Sequence, residues 1–125
     1  MEPKYLGKQH SEAIDQIETV EWDSGDIVIQ FDCSEFTSHC PVTGQPDFAR
    51  LQIRYQPTDK IIETKSLKLY LMRYRHEAQF NEVLTCRICD DLYKQSGAKW
   101  MEVRGEFFVR GGISVSPVAL RGDIG

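Results

Sequence analysis

Apolar and polar positions change period along this chain, and each change marks an element. From Asp26 the pattern alternates, with Ile27, Ile29, Phe31 and Cys33 on one face and Val28, Gln30 and Asp32 on the other. A period of two predicts a half-buried strand. Asp23-Ser24-Gly25-Asp26, just before it, is a turn signal. Leu51, Ile53 and Tyr55 alternating with Gln52, Arg54 and Gln56 predict a second strand, closed by a turn at Pro57-Thr58-Asp59. The two strands are expected to be antiparallel neighbours with the intervening loop at one end. Over 66–78 the period becomes helical, because Leu67, Tyr70, Leu71 and Tyr74 recur at i, i+3, i+4 and i+7. A second helix is predicted from about Gln79 to Ser96, with Phe80, Leu84, Ile88 and Leu92 on its apolar stripe and Gly97 as its C-terminal cap. Met101, Val103, Phe107 and Val109 then alternate with Glu102, Arg104, Glu106 and Arg110. After Arg110-Gly111-Gly112, Ile113 and Val115 alternate with Ser114 and Ser116.

The order is ββααββ, which predicts an α+β domain with antiparallel strands packed under two helices. At 125 residues the chain reads as one domain over 1–125, with 1–15 as a loosely held arm. Four strands leave two open edges, which proteins seldom leave bare. The expected remedy is oligomerisation, with several sheets joining into a barrel.

Charge narrows the partners. With 15 basic against 19 acidic residues and a net charge of −4, a nucleic-acid surface is not expected. No apolar run approaches the roughly 18 residues that cross a membrane. The start, MEPKYLGKQHSEA, has no apolar signal region. The expected location is the cytoplasm. In that setting Cys33, Cys40, Cys86 and Cys89 read as free thiols. Cys86 and Cys89 form a C-x-x-C pair, for which redox or metal use stays open, although no second pair or H-x₃₋₅-H spacing accompanies it.

The chemistry concentrates in Thr37-Ser-His-Cys-Pro-Val-Thr-Gly-Gln-Pro-Asp-Phe48. The thiol of Cys40 and the carboxyl of Asp47 are separated by Pro41, Gly44 and Pro46, residues that restrict φ or permit tight turns. Such a loop can hold a sulfur nucleophile beside a proton donor.

The loop FTSHCPVTGQPDFA (36–49), the run ETKSLKLYL (63–71), the helix entry Phe80-Asn81-Glu82 and the late FVRGGISVSP (108–117) occur in this order. Together they resemble the short, single-module QueF-type nitrile reductases. These are NADPH-dependent 7-cyano-7-deazaguanine reductases of queuosine biosynthesis, members of the tunnelling-fold superfamily. The resemblance spans roughly 20–118. It implies a ββααββ subunit in a ring, typically two pentamers stacked as a decamer, with active sites at subunit boundaries.

The implied reaction reduces a nitrile to a primary amine with two NADPH. By resemblance Cys40 is the nucleophile that forms a thioimide, so its pKa should be lowered. Asp47 matches the proton donor, and a donor near neutral pH needs a raised pKa. Glu82 matches the residue that anchors the substrate base through paired charge-assisted bonds. Ile62, Glu63 and Thr64 match substrate contacts ahead of the first helix. Lys65 and Lys68 match the cofactor signature, and Arg110 and Gly111 a later cofactor contact. No metal is implied. The chain departs from the family at 80–82, where Phe-Asn-Glu replaces Phe-His-Glu. Asn81 can position a base but cannot carry a proton.

Three other readings compete. An amidine-forming relative would let ammonia attack the same thioimide on a tRNA-borne base. A zinc-dependent purine or pterin hydrolase would recruit Cys40, Cys86, Cys89 and a histidine. A non-catalytic binding module of the same fold would need no thiol at position 40.

Overall fold

The computed structural model describes residues 14–123, apart from the side chain of Arg110. Most of the expected arm lies outside the described residues. Ile14, at its end, is not loose: its backbone N–H donates to Leu69 O at 3.3 Å, and its side chain packs against the core.

The elements run β1 (Thr19–Glu21), β2 (Ile29–His39), β3 (Pro46–Gln56), β4 (Lys60–Ile62), α1 (Thr64–Met72), a 3₁₀ turn (Arg73–His76), α2 (Asn81–Ser96), β5 (Trp100–Arg110), β6 (Ile113–Val115) and β7 (Val118–Gly122). The predicted ββααββ order stands, with β1, β4 and β7 added. The main sheet has the order β2-β3-β5-β6, and β7 also pairs with β5. All these pairings are antiparallel. β1 and β4 form a separate two-stranded sheet.

One face of the sheet meets the helices. Leu51, Ile53 and Tyr55 of β3 and Met101 and Val103 of β5 are fully buried, and so are Leu84, Ile88 and Leu92 of α2. Leu67, Tyr70, Leu71 and Tyr74 complete the core from α1 and the turn after it. Each buried Leu or Ile side chain contributes about 1.5–3 kcal/mol relative to exposure. The opposite face is polar in the middle of β3 and β5, where Arg54 pairs with Glu102 at 3.8 Å and Trp100 Nε1 donates to Gln56 Oε1 at 3.1 Å, but it also exposes Phe48, Phe108, Val118 and Leu120. Gly97 caps α2 in the left-handed conformation (φ 66°) and donates to Tyr93 O, as the sequence predicts.

A bulge in β2 sets the geometry that matters later. Between Cys33 and Phe36 the strand advances three residues while its partner moves two, from Leu51 to Ala49. One extra residue reverses which side chains face inward. Before the bulge Phe31 and Cys33 pack against the core; after it Phe36 and Ser38 are the buried ones.

Some expected core positions are exposed. Phe80 is 59% exposed, because it is the N-cap of α2 with extended backbone (φ −65°, ψ 143°) and so lies off the helical stripe. Val109 and Ile113 are 64% and 70% exposed. A second register shift, between Phe107 and Arg110, breaks the alternation there.

Candidate active site

The cysteine loop is shorter than the sequence suggests, since 37–39 and 46–48 belong to β2 and β3. Backbone bonds close what remains: Cys40 N donates to Gln45 O and Gly44 N to Cys40 O, each at 2.9 Å. Gly44 takes φ 70°, a conformation that a side chain disfavours. This turn holds Cys40 against the start of the next strand. Hydrogen bonds from the Thr43 side chain and backbone, then from the Val42 backbone, hold the Cys40 thiol below its ordinary pKa. Partial desolvation and the Asp47 charge oppose that shift without reversing it.

Asp47 lies on β3, buried at 7% exposure, directly across from Ser38. Its charge reaches Cys40, so thiol and carboxyl are electrostatic neighbours.

The entry of α2 is brought to this corner by main-chain pairing. His39 forms an isolated parallel bridge with Ala78. His39 N donates to Glu77 O at 3.2 Å, and Gln79 N donates to His39 O at 3.3 Å. Phe80, Asn81 and Glu82 therefore follow directly beside the residue before Cys40. Thr85 Oγ1 donates to Asn81 O at 2.8 Å, within the first turns of α2. Asn81 Oδ1 is buried and without a hydrogen-bond partner among the described residues. Glu82 is exposed in the first turn of the helix.

The remaining predicted residues gather elsewhere. Glu63 is buried at 6% exposure and caps α1, its two oxygens accepting from Lys65 N at 2.6 Å and Ser66 N at 2.8 Å. Ile62 is buried, and its N–H donates to Tyr55 OH at 2.9 Å. Both residues are thus committed to the local frame. Thr64 and Lys68 line a cavity of about 290 Å³ between β2 and the α1 rod, together with Arg75, Phe31 and Leu71. Lys65 is half-buried on the same helix and does not line that cavity. The side chain of Arg110 lies outside the described structure. Gly111 is exposed in the β5–β6 turn with φ 59°.

Sequence reasoning singled out neither Ser38 nor Arg75 here, and it could not place His39. His39 and His76 stack with ring centroids 6.5 Å apart, a contact that no spacing in the chain announces. Arg75 was legible in principle, since it recurs seven residues after Lys68 on the same helical face.

The C-x-x-C thiols face different surroundings. Cys86 is exposed, while Cys89 is fully buried and donates weakly to Met101 O and Ala119 O at 3.7 and 3.6 Å. Burial pushes the Cys89 thiol up to about 11. Burial and the neighbouring Asp32 charge also raise Cys33 to about 11. Among the described residues no three His, Cys, Asp or Glu side chains gather as a metal-ligand group. None of the described helices is long and apolar enough to cross a membrane.

Comparison with known proteins bears on the whole arrangement. Residues 46–124 match the family model described as "QueF-like protein". An NADPH-dependent 7-cyano-7-deazaguanine reductase of Anaeromyxobacter sp. (strain Fw109-5) is 50% identical over 95 residues, covering 76% of this chain and 78% of that one. The enzyme of that name from Bacteroides thetaiotaomicron is 49% identical over 100 residues, covering 80% of this chain and 66% of its own. In fold, the chain resembles the crystal structure of the archaeosine synthase QueF-Like in the apo form. The TM-score is 0.70 at 16% identity, covering 83% of this chain and all of that one.

Proposed function

Because this chain belongs to the QueF-like protein family, we propose that it is an NADPH-dependent oxidoreductase that reduces the nitrile of 7-cyano-7-deazaguanine to the aminomethyl group. The observation that carries this reading is a thiol of lowered pKa, Cys40, held by a closed turn beside the buried carboxyl of Asp47. Reductases of that name are about half identical to the chain over most of its length. The archaeosine synthase likeness, at 16% identity, speaks only for the fold.

The chemistry follows from what a nitrile needs. Its carbon accepts hydride poorly while the nitrogen is neutral. The Cys40 thiolate adds to that carbon, a C–S bond forms, and the triple bond becomes a C=N double bond. Asp47 gives the nitrogen its proton, and the resulting thioimide is electrophilic. When bound, NADPH supplies hydride, and two equivalents are needed to take a nitrile to an amine. Each hydride is matched by one proton, so the net change consumes two hydrides and two protons and releases Cys40 unchanged.

The base is held by the α2 entry. Glu82 accepts from the amino-pyrimidinone edge, and two parallel bonds to a carboxylate are of the strong, charge-assisted kind. Asn81 supplies an orphaned acceptor, Oδ1, that the base can satisfy. It orients the base and relays no proton. The exposed ring of Phe80 offers a stacking surface for a flat bicycle. Ile62, Glu63 and Thr64 shape the wall ahead of α1.

The cavity between β2 and α1 offers a dinucleotide two cationic head groups, Lys68 and Arg75, on the helix side and an apolar floor of Phe31, Leu67 and Leu71, with Asp32 and Glu35 on the β2 side. Lys68 in this cavity is assigned to a cofactor phosphate as a point charge, and Lys65 and Gly111, which lie outside it, are assigned with Arg110 to further cofactor contacts, with glycine permitting close approach. We assign the open β2 edge, together with the exposed Phe48 and Phe108, to contacts between copies of the chain, in a ring of two stacked pentamers working in the cytoplasm. Phe48 and Phe108 stand 6.3 Å apart, ring to ring.

Intact-mass spectrometry tests the reading directly. Enzyme mixed with the cyano base, without NADPH, should gain the full substrate mass on Cys40. Cys40→Ala should gain nothing. Turnover with ammonia and no NADPH oxidation at 340 nm would instead make the chain an amidine-forming enzyme.

A further inference from the structure

Three buried side-chain polar atoms among the described residues have no hydrogen-bond partner: Ser38 Oγ, His39 Nδ1 and Asn81 Oδ1. All three flank the same corner. Two immediately precede Cys40, and the third follows the segment bridged to His39. A buried polar group left unpaired costs free energy, and such groups are few in native proteins. Their collection at one place points to function.

Ser38 is the most completely sealed of the three, at 0% exposure. It stands directly across from Asp47 in the β2–β3 register. Opposed residues of an antiparallel pair have Cβ atoms about 4.5–5.5 Å apart on one face of the sheet. The bulge at Cys33–Phe36 is what turns Ser38 inward, onto the face where Asp47 is buried. A hydroxyl rotates freely, so it can present its proton to a carboxylate within reach.

We propose that Ser38 is a positioning residue for Asp47, its hydroxyl donating a hydrogen bond to the Asp47 carboxylate that forms when the acid gives up its proton. The inference rests on the functional reading above. Reducing a nitrile to an amine takes up two protons, so the acid must ionise and be recharged within each turnover. Asp47 is nearly sealed from water, and each further donor to a carboxylate generated there lowers the cost of its charge. The hydroxyl directly opposite can add such a donor, and its bond strengthens as the acid ionises, which is the state the proton transfer approaches.

The test is Ser38→Ala in the full chain, read by steady-state kinetics, melting temperature and the mass of the substrate adduct. The kcat should fall roughly 10- to 100-fold, the scale of one hydrogen bond to a charged group. The KM values for the cyano base and NADPH should stay near those of the wild type. The melting temperature should hold or rise, because an unpaired buried hydroxyl has been removed. Wild-type kcat in the variant overturns the proposal. So does a kcat loss that tracks a lowered melting temperature or a failure to fold, since the hydroxyl would then be part of the frame. A wild-type enzyme that neither forms the adduct nor oxidises NADPH sinks the functional reading instead.

Discussion

His39 and Ala78 are joined by a parallel bridge that fastens the end of β2 to the segment leading into α2. Two main-chain bonds make the joint, one through Glu77 O and one through Gln79 N. The joint places the base-binding candidates Asn81 and Glu82 next to the nucleophile loop. Gln79→Pro removes the second donor while keeping an extended conformation for Ala78, which a following proline favours. We expect a loss of about 0.5–1.5 kcal/mol in stability by urea denaturation. Adduct formation with the cyano base should slow by more than that loss implies, because the misplacement lies within the site. An unchanged adduct rate would mean that the bridge is only a staple.

Asp47→Asn removes the acid but keeps the shape. As the proposed proton donor, its loss should lower kcat on the order of 10²-fold or more. Cys40 should remain alkylatable, since the hydrogen bonds from Thr43 and Val42 that lower its pKa are untouched. Near-normal turnover would assign the proton to another group.

The thiols should separate by pH. Cys40 is held below its ordinary value, whereas Cys33 and Cys89 are pushed up to about 11. A lowered pKa means that the thiolate, the reactive form, is populated at lower pH. Iodoacetamide labelling, mapped by peptide mass, should therefore reach Cys40 near neutral pH while Cys33 and Cys89 stay unmodified in the folded protein. Labelling of Cys33 ahead of Cys40 would contradict the assigned environments.

Gly105 sits where β5 passes under α2. A Cβ there would meet Phe107 Cε2 at 2.7 Å and Thr85 Oγ1 at 3.1 Å. Thr85 donates to Asn81 O, so strain at this point is passed to the α2 entry. Gly105→Ala should cost about 1–3 kcal/mol as an overpacked core, seen as a lower melting temperature. The KM for the cyano base should rise with it. A variant with wild-type melting would show that Phe107 has room to turn away.

The sequence by itself determined the period of each long element, and so the ββααββ order, the helix cap at Gly97 and the inward faces of β3 and α2. Periodicity reports which side of an element is apolar, and burial follows it wherever the element is long and regular. It also exposed the cysteine loop, because prolines, a glycine, a thiol and a carboxyl stand together in the chain. The short strands β1, β4 and β7 escaped it. A three-residue strand has no period to read, and β7 turns small Ala119 inward while Val118 and Leu120 face out. Only the tertiary structure decided that one extra residue in β2 turns Ser38 to the buried side opposite Asp47, and that His39 meets Ala78. Both are outcomes of pairing between distant segments. Neither changes the local pattern from which a sequence is read.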